Sequence, residues 1–195
     1  MKARKKTMTL EQIKEHIPDY ARDLKLNLGS VLTPQGAPGL SEAQQWMTAL
    51  ATAIASGNGE LTRAVESAAT GKLDAAGLNA ARAAAAIMGM NNVYYRFTHL
   101  VEDEEYSRLP ARLRMNVMAN PGIDKVDFEL ISLAVSSVHG CGKCVTAHER
   151  VVRQAGMPRE AVQSAVRIAA TLHGVAGVLD YEALRETPAQ HAAAA

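Results

Sequence analysis

The reactive side chains of the chain concentrate in Ser137-Val138-His139-Gly140-Cys141-Gly142-Lys143-Cys144-Val145-Thr146-Ala147-His148-Glu149. Its two cysteines are the only ones in 195 residues. Thiols at positions i and i+3 of a helix share a face, close enough to join as a disulfide. His148, four residues after Cys144, falls on that same face. If Cys141 opens a helix, the free N–H groups and the positive helix end favour a thiolate there. That effect is worth roughly 0.3–1 kcal/mol, so the charge of Lys143 and a base such as His148 must add to it. On helix-end electrostatics alone, Cys141 is the more acidic thiol and the first nucleophile.

Three chemistries fit such a segment. A redox dithiol is one. A zinc site is the second, with Cys141, Cys144 and His148 as ligands and His139 or His173 as the fourth that a structural zinc needs. An inert buried thiol pair is the third, although Gly140 and Gly142 leave the site open rather than packed. A pair three residues apart cannot staple a chain of this length, and a lone Cys-x-x-Cys in a cytosolic chain reads as redox or metal chemistry first. No βαβ pattern precedes the motif, which argues against a thioredoxin fold.

The elements that must hold these residues are helices. The chain contains 35 alanines, with few glycines and prolines (14 and 7), and alanine both favours helix and allows close helix approach. The expected fold class is all-α. Thr9 with Gln12 and Ser41 with the following turn read as helix starts, Thr33 to Gly39 as a linker, and Gly57-Asn58-Gly59 as a break. A helix from Ala75 is expected to be interrupted or bent at Gly89 before continuing to Val101. Glu102 to Leu109 reads as a charged connection and Asn120-Pro121-Gly122 as a turn. Asp124 caps a helix over Lys125 to Val138, His139-Gly140 breaks it, and Cys141 begins a helix to Ala155. Pro158 opens a last long helix ending near Arg185.

The chain also carries an internal repeat. Shifted by 85 residues, Gly71, Ala80, Arg82, Ala84, Ala85, Gly89 and Val93 fall on Gly156, Ala165, Arg167, Ala169, Ala170, Gly174 and Val178. The reading is two similar helical halves in one domain over residues 9–195. A scaffold half covers about 9–102 and a catalytic half about 103–185. Only the second half carries the dithiol; the first has Ser56 and Gly57 where the second approaches Cys141. A basic tail (1–8, with Lys2, Arg4, Lys5 and Lys6) precedes the domain, and a frayed tail (186–195) follows it.

The balance of 21 basic against 20 acidic residues and the 4% aromatic content argue against a nucleic-acid partner. No run of about 18 apolar residues announces a membrane helix. His99, His173 and His191 read as surface or core histidines, and His139 as either a helix cap or support for the dithiol. Met88, Met90, Met115 and Met118 read as core filler or subunit contact. Tyr94, Tyr95 and Phe97 read as packing between halves or subunits, and Trp46 as a core anchor.

The chain closely resembles the alkyl hydroperoxide reductase D (AhpD) family of the carboxymuconolactone-decarboxylase-like superfamily, from about Thr9 to about Leu184. The matching segments are Leu24 to Leu28, Ala84 to Arg96 with its Met88-Gly89-Met90-Asn91-Asn92 core, Met115-Asn116, Ala119 to Ile123, Phe128-Glu129-Leu130, and Cys141-x-x-Cys144-x-x-Ala147-His148-Glu149. The resemblance implies an all-helical fold of two similar halves and a cytoplasmic homotrimer. It implies reduction of organic hydroperoxides by the dithiol, with no metal, flavin or other tightly bound cofactor. It further implies regeneration of a peroxiredoxin partner of the alkyl hydroperoxide reductase C type, with electrons drawn from a lipoyl group (dihydrolipoamide) on a lipoyl-bearing acyltransferase. Carried over by position, Cys144 becomes the sulfenic acid, Cys141 resolves it to a disulfide, and Glu129 and His148 relay protons. Lys143 stands where the family has a histidine; an ammonium supports a thiolate electrostatically but accepts no proton at neutral pH. Other readings are a carboxymuconolactone-type decarboxylase, which has no need of the dithiol, and a non-catalytic zinc-stabilised helical module.

Overall fold

The computed structural model describes residues 7–186. Every regular element among them is helical: α1 (Leu10–His16), a 3-10 turn (Asp19–Ala21), α2 (Arg22–Val31), α3 (Glu42–Ala55), α4 (Gly59–Ala69), α5 (Ala75–Leu100), α6 (Glu104–Arg108), α7 (Asn116–Ala119), α8 (Lys125–Val138), α9 (Gly142–Gln154) and α10 (Arg159–Glu186). The expected all-α class holds. Of the terminal stretches, residues 1–6 and 187–195, with His191 and the basic cluster Lys2, Arg4, Lys5 and Lys6, lie outside the described residues. Met8 packs against the core and Glu186 closes α10.

Local signals start the helices where the side chains dictate. Thr9 and Ser41 each form a reciprocal capping box, with Gln12 and Gln44, satisfying two orphan N–H groups apiece. Asp124 accepts from the N–H groups of Val126 and Asp127 to start α8. Gly89 neither interrupts nor ends α5, which runs unbroken for 26 residues. A single helical glycine costs only about 1 kcal/mol relative to alanine, and the packing along a helix of that length outweighs it. The charged connection contains the one-turn helix α6, and α7 precedes the Asn120-Pro121-Gly122 turn.

Two 14-residue helices form the centre. Residues 45–53 of α3 and 130–136 of α8 are buried without a break, the pattern of a helix packed on all sides. Helices α3 and α8 touch each other and both touch α5 and α10. Ala49, Ala51, Ala53, Ala80, Ala81 and Ala84 at these crossings are at most 1% exposed; their small side chains let the backbones approach closely. Trp46 is buried in the main core, as expected of an anchor. A smaller cluster of Leu130, Leu133, Ala134, Val152, Ala165 and Ala169 lies where α8, α9 and α10 meet. Helix α10 is the one described helix long and apolar enough, by length and composition, to cross a membrane. Half of that stretch is buried, and the helix packs on α2, α3 and α8 as a core helix does.

Candidate active site

The dithiol sits on a junction built from the end of one helix and the start of the next. His139 caps α8, and Gly140 turns left-handed with φ 66°. The Gly140 N–H then donates to Ser137 O (3.2 Å) and the Cys141 N–H to Ser136 O (3.1 Å), the paired bonds of a Schellman C-terminus. Cys141, delivered by that turn, is the N-cap of α9: the Cys144 N–H donates to its Sγ at 3.4 Å. Cys141 and Cys144 are joined as a disulfide with Cα atoms 5.3 Å apart. The sequence places Cys141 as the first residue of the helix; the structure makes it the cap, one step before Gly142.

The two sulfur residues differ in exposure. Cys141 is fully buried, whereas Cys144 is 6% exposed and lines a cavity of about 250 Å³. His148, one turn further along α9, lines the same cavity. Its Nδ1 lies 2.5 Å from Glu129 Oε2 on α8. A carboxylate only accepts, so Nδ1 carries the proton and Nε2 is the basic nitrogen. The structure thus brings together Cys141, Cys144, His148 and Glu129. Lys143 is adjacent: its Nζ donates to Thr98 Oγ1 (3.3 Å) and lies 5.8 Å from the centroid of the Tyr95 ring, within cation–π range.

The opposite wall comes from α5 in the first half and from the α7 segment. Helix α5 presents Met88, Asn91 and Tyr95 to the cavity, and Met115 and Met118 close it from the α7 segment. The tyrosine and methionines, read from sequence as packing, core or subunit contacts, are therefore walls of the site, and Asn91 joins them. Their spacing marks one face of a helix; nothing local says that the face looks onto Cys144. On the next residue of α5, Asn92 Oδ1 accepts from Ser136 Oγ (2.9 Å), while Asn92 Nδ2 donates to His139 Nδ1 (3.0 Å). Arg96 Nη1 donates to His139 O (2.6 Å). His139 is therefore both helix cap and support for the turn that carries Cys141. Burial pushes its imidazole below the ordinary histidine pKa, and the nearby Arg96 charge acts in the same direction.

His99 and His173 are exposed, and neither lines the Cys144 cavity. Among the described residues, no three His, Cys, Asp or Glu side chains converge as a metal site would require. Both cysteine sulfurs are committed to each other in the disulfide.

The sequence profile of the Carboxymuconolactone decarboxylase family matches residues 104–186. Over the wider chain, "Alkyl hydroperoxide reductase AhpD" of Rhodospirillum centenum is 57% identical across 176 residues, covering 90% of this chain and 93% of that protein. The protein of the same name from Frankia alni is 56% identical over 169 residues, covering 87% and 90%. That of Rhodopseudomonas palustris is 54% identical over 169 residues, covering 87% and 92%. Identity at this level along nearly the full length of each relative, on an all-helical fold carrying a Cys-x-x-Cys disulfide, means that the chain belongs to the AhpD family of alkyl hydroperoxide reductases.

Proposed function

We propose that the protein is an antioxidant peroxidase and disulfide reductase that reduces organic hydroperoxides through the Cys141–Cys144 dithiol. The observation that carries this reading is the asymmetry of the pair. Cys144 opens on a mostly apolar cavity beside the Glu129–His148 couple, and Cys141 is sealed behind it. The relatives' name, alkyl hydroperoxide reductase, supports the substrate class.

The asymmetry assigns roles. His148 Nε2 takes the Cys144 proton, directly or through water, and Glu129 balances the imidazolium charge. The Cys144 thiolate attacks the terminal oxygen of the hydroperoxide. The O–O bond breaks, its electron pair leaves on the alkoxide, and His148 returns the proton to give the alcohol. Cys144 is left as the sulfenic acid. Cys141 attacks it, expels water and closes the disulfide. Helix-end electrostatics favour Cys141 as the more acidic thiol, but burial keeps that sulfur from the substrate. Its acidity serves the return step instead. A donor dithiol reaches the Cys144 sulfur, and Cys141 departs with the bond's electron pair, stabilised as a thiolate at the helix end. The second donor thiol then frees Cys144.

We further assign a dihydrolipoyl group on an acyltransferase as the donor, an alkyl hydroperoxide reductase C type peroxiredoxin as a partner regenerated by the same dithiol, and the cytoplasm as the compartment. A dithiol that must be recharged each cycle suits a reducing compartment. The chain acts as a homotrimer. The exposed apolar side chains Val93, Phe97, Leu100, Leu109 and Leu113, clustered on the end of α5 and the segment after it, supply a surface for subunit contact. The site has no resident cofactor. Decarboxylation, the activity in the matching profile's name, has no use for a vicinal dithiol.

Thiol titration tests the reading. Reduced protein is expected to show two free thiols, and none after one equivalent of cumene hydroperoxide, with one equivalent of alcohol formed. Thiols that survive the dose overturn the proposal.

A further inference from the structure

Asn91 stands on α5 between Met88 and Tyr95, in the wall that faces Cys144 and His148. It is 5% exposed. Its Oδ1 is buried and has no hydrogen-bond partner. The other buried side-chain oxygens in that condition among the described residues, on Thr48 and Ser132, belong to the fully buried centres of α3 and α8 and do not line the cavity. The neighbouring carboxamide behaves differently: Asn92 is engaged on both ends, by Ser136 and His139. One amide of the pair holds the scaffold and the other is unspent.

An unpaired amide oxygen is expensive to bury, and an apolar side chain of similar size would pack there without that cost. The position among methionines and a tyrosine makes the contrast sharper, because the rest of the wall suits an apolar alkyl group. What the wall lacks is one hydrogen-bond donor for the Asn91 oxygen. A hydroperoxide brings one donor, its terminal O–H, attached to the atom that sulfur attacks.

Resting on the peroxidase reading above, we propose that Asn91 is the binding residue for the peroxide group: its Oδ1 accepts the terminal O–H of the hydroperoxide in the cavity. The contact fixes the terminal oxygen toward Cys144 and leaves the alkyl group against the methionines. When the S–O bond forms and the O–O bond breaks, the terminal oxygen keeps its hydrogen and becomes the sulfenic hydroxyl. The electron pair leaves on the alkoxide, which is protonated by His148. Sulfur loses two electrons and the peroxide gains two. The same contact serves hydrogen peroxide and alkyl hydroperoxides, since it reads the O–O–H group and not the alkyl chain.

The two half-reactions separate this role from a structural one. In Asn91→Leu, oxidation of the reduced protein by cumene hydroperoxide and by hydrogen peroxide is expected to slow by about tenfold in each case. Reduction of the disulfide by dihydrolipoamide is expected to stay within about twofold of the parent, because that step has no peroxide to hold. The melting temperature is expected to be equal or higher, since an unpaired buried polar atom has been removed. Asn91→Ala is read in the same way if the larger side chain does not fit. Unchanged peroxide oxidation, or equal slowing of both half-reactions, overturns the proposal. A parent protein whose thiols ignore hydroperoxide overturns the peroxidase reading as well, so the two failures are told apart by the parent control.

Discussion

The chain makes the same helix-to-helix junction twice and puts different chemistry into it. Helix α3 ends at Ser56, turns at Gly57 with φ 85°, and hands over to Asn58, the N-cap of α4. Helix α8 ends at His139, turns at Gly140 with φ 66°, and hands over to Cys141, the N-cap of α9. By element order, Asn58 is therefore the counterpart of Cys141, where the sequence shift had brought Ser56 there. In the first junction the cap oxygen accepts from Leu61 N (2.8 Å), the Asn58 amide donates to Asp180 (2.6 Å), and Thr62 Oγ1 donates to the Ala53 carbonyl (3.1 Å). In the second, the corresponding Ser136 carbonyl takes the Cys141 N–H and the cap atom is a sulfur. Sulfur is a weak acceptor, so the second cap gives up local stability. In return, a reactive atom occupies the place where helix N–H groups favour negative charge.

The sharpest break in that comparison is removal of each sulfur. Cys144→Ser is expected to abolish hydroperoxide turnover to the rate of free thiol in solution. Cys141→Ser is expected to permit a single oxidation that stops at the sulfenic acid, trapped by a dimedone-type reagent and seen by mass. If Cys144→Ser keeps the first oxidation and Cys141→Ser loses it, the roles are reversed and the buried cap is the peroxidatic sulfur.

Next in size is the couple that the first junction lacks. Glu129→Gln removes the carboxylate that orients His148, and His148→Gln removes the base. General acid–base groups contribute typically about 10²–10⁴-fold. His148→Gln is expected to fall in that range for thiol oxidation near neutral pH, and Glu129→Gln to fall by less, since it acts through the imidazole. Stopped-flow oxidation from pH 6 to 9 checks both. The His148→Gln deficit should shrink at high pH, where the thiolate forms without a base; a pH-independent deficit removes the proton role.

The contrast between the junctions also shows what a sequence can and cannot display. Caps are local: Thr9 with Gln12, and Ser41 before α3, are legible because their partners lie three residues away. Cys141, Cys144 and His148 share a face by helical spacing alone, and Glu129 came from the family resemblance. The cavity wall was not legible. Met88, Asn91 and Tyr95 face Cys144 only because α5 packs beside α9, a contact set by the whole helical arrangement, and Met115 and Met118 join them from the α7 segment. Gly89 misled for a related reason: intrinsic propensity is weak beside tertiary packing. The short helices α6 and α7 are too brief to carry a periodic pattern.

A smaller effect sharpens the comparison of caps. Asn58→Ala is expected to cost about 1 kcal/mol in urea unfolding with no change in thiol oxidation. Cys141→Asn should do the reverse, matching or exceeding the stability of the reduced parent while ending turnover. The disulfide closes so short a loop that it constrains the unfolded chain little. Destabilisation by Cys141→Asn relative to the reduced parent would mean that sulfur caps this helix better than an amide does.

The smallest expected effect lies at the helix ends themselves, where Ser56 of one junction corresponds to His139 of the other. His139 has a folded pKa below its unfolded value, through burial and then the charge of Arg96, with His173 also acting to lower it. Between those two pKa values the unfolded chain binds the proton and the folded chain resists it. Stability linked to this group is therefore intact above the unfolded pKa of about 6.5 and declines as pH falls below it, until the folded pKa is passed. His139→Ser makes the second junction like the first. It should lower stability by a constant amount through the lost Asn92 contact, and it should also flatten the decline between pH 7 and 5.5. Urea midpoints across that range, compared pairwise with the parent, cancel the contributions of all other groups; parallel curves would mean that the imidazole titrates alike in both states.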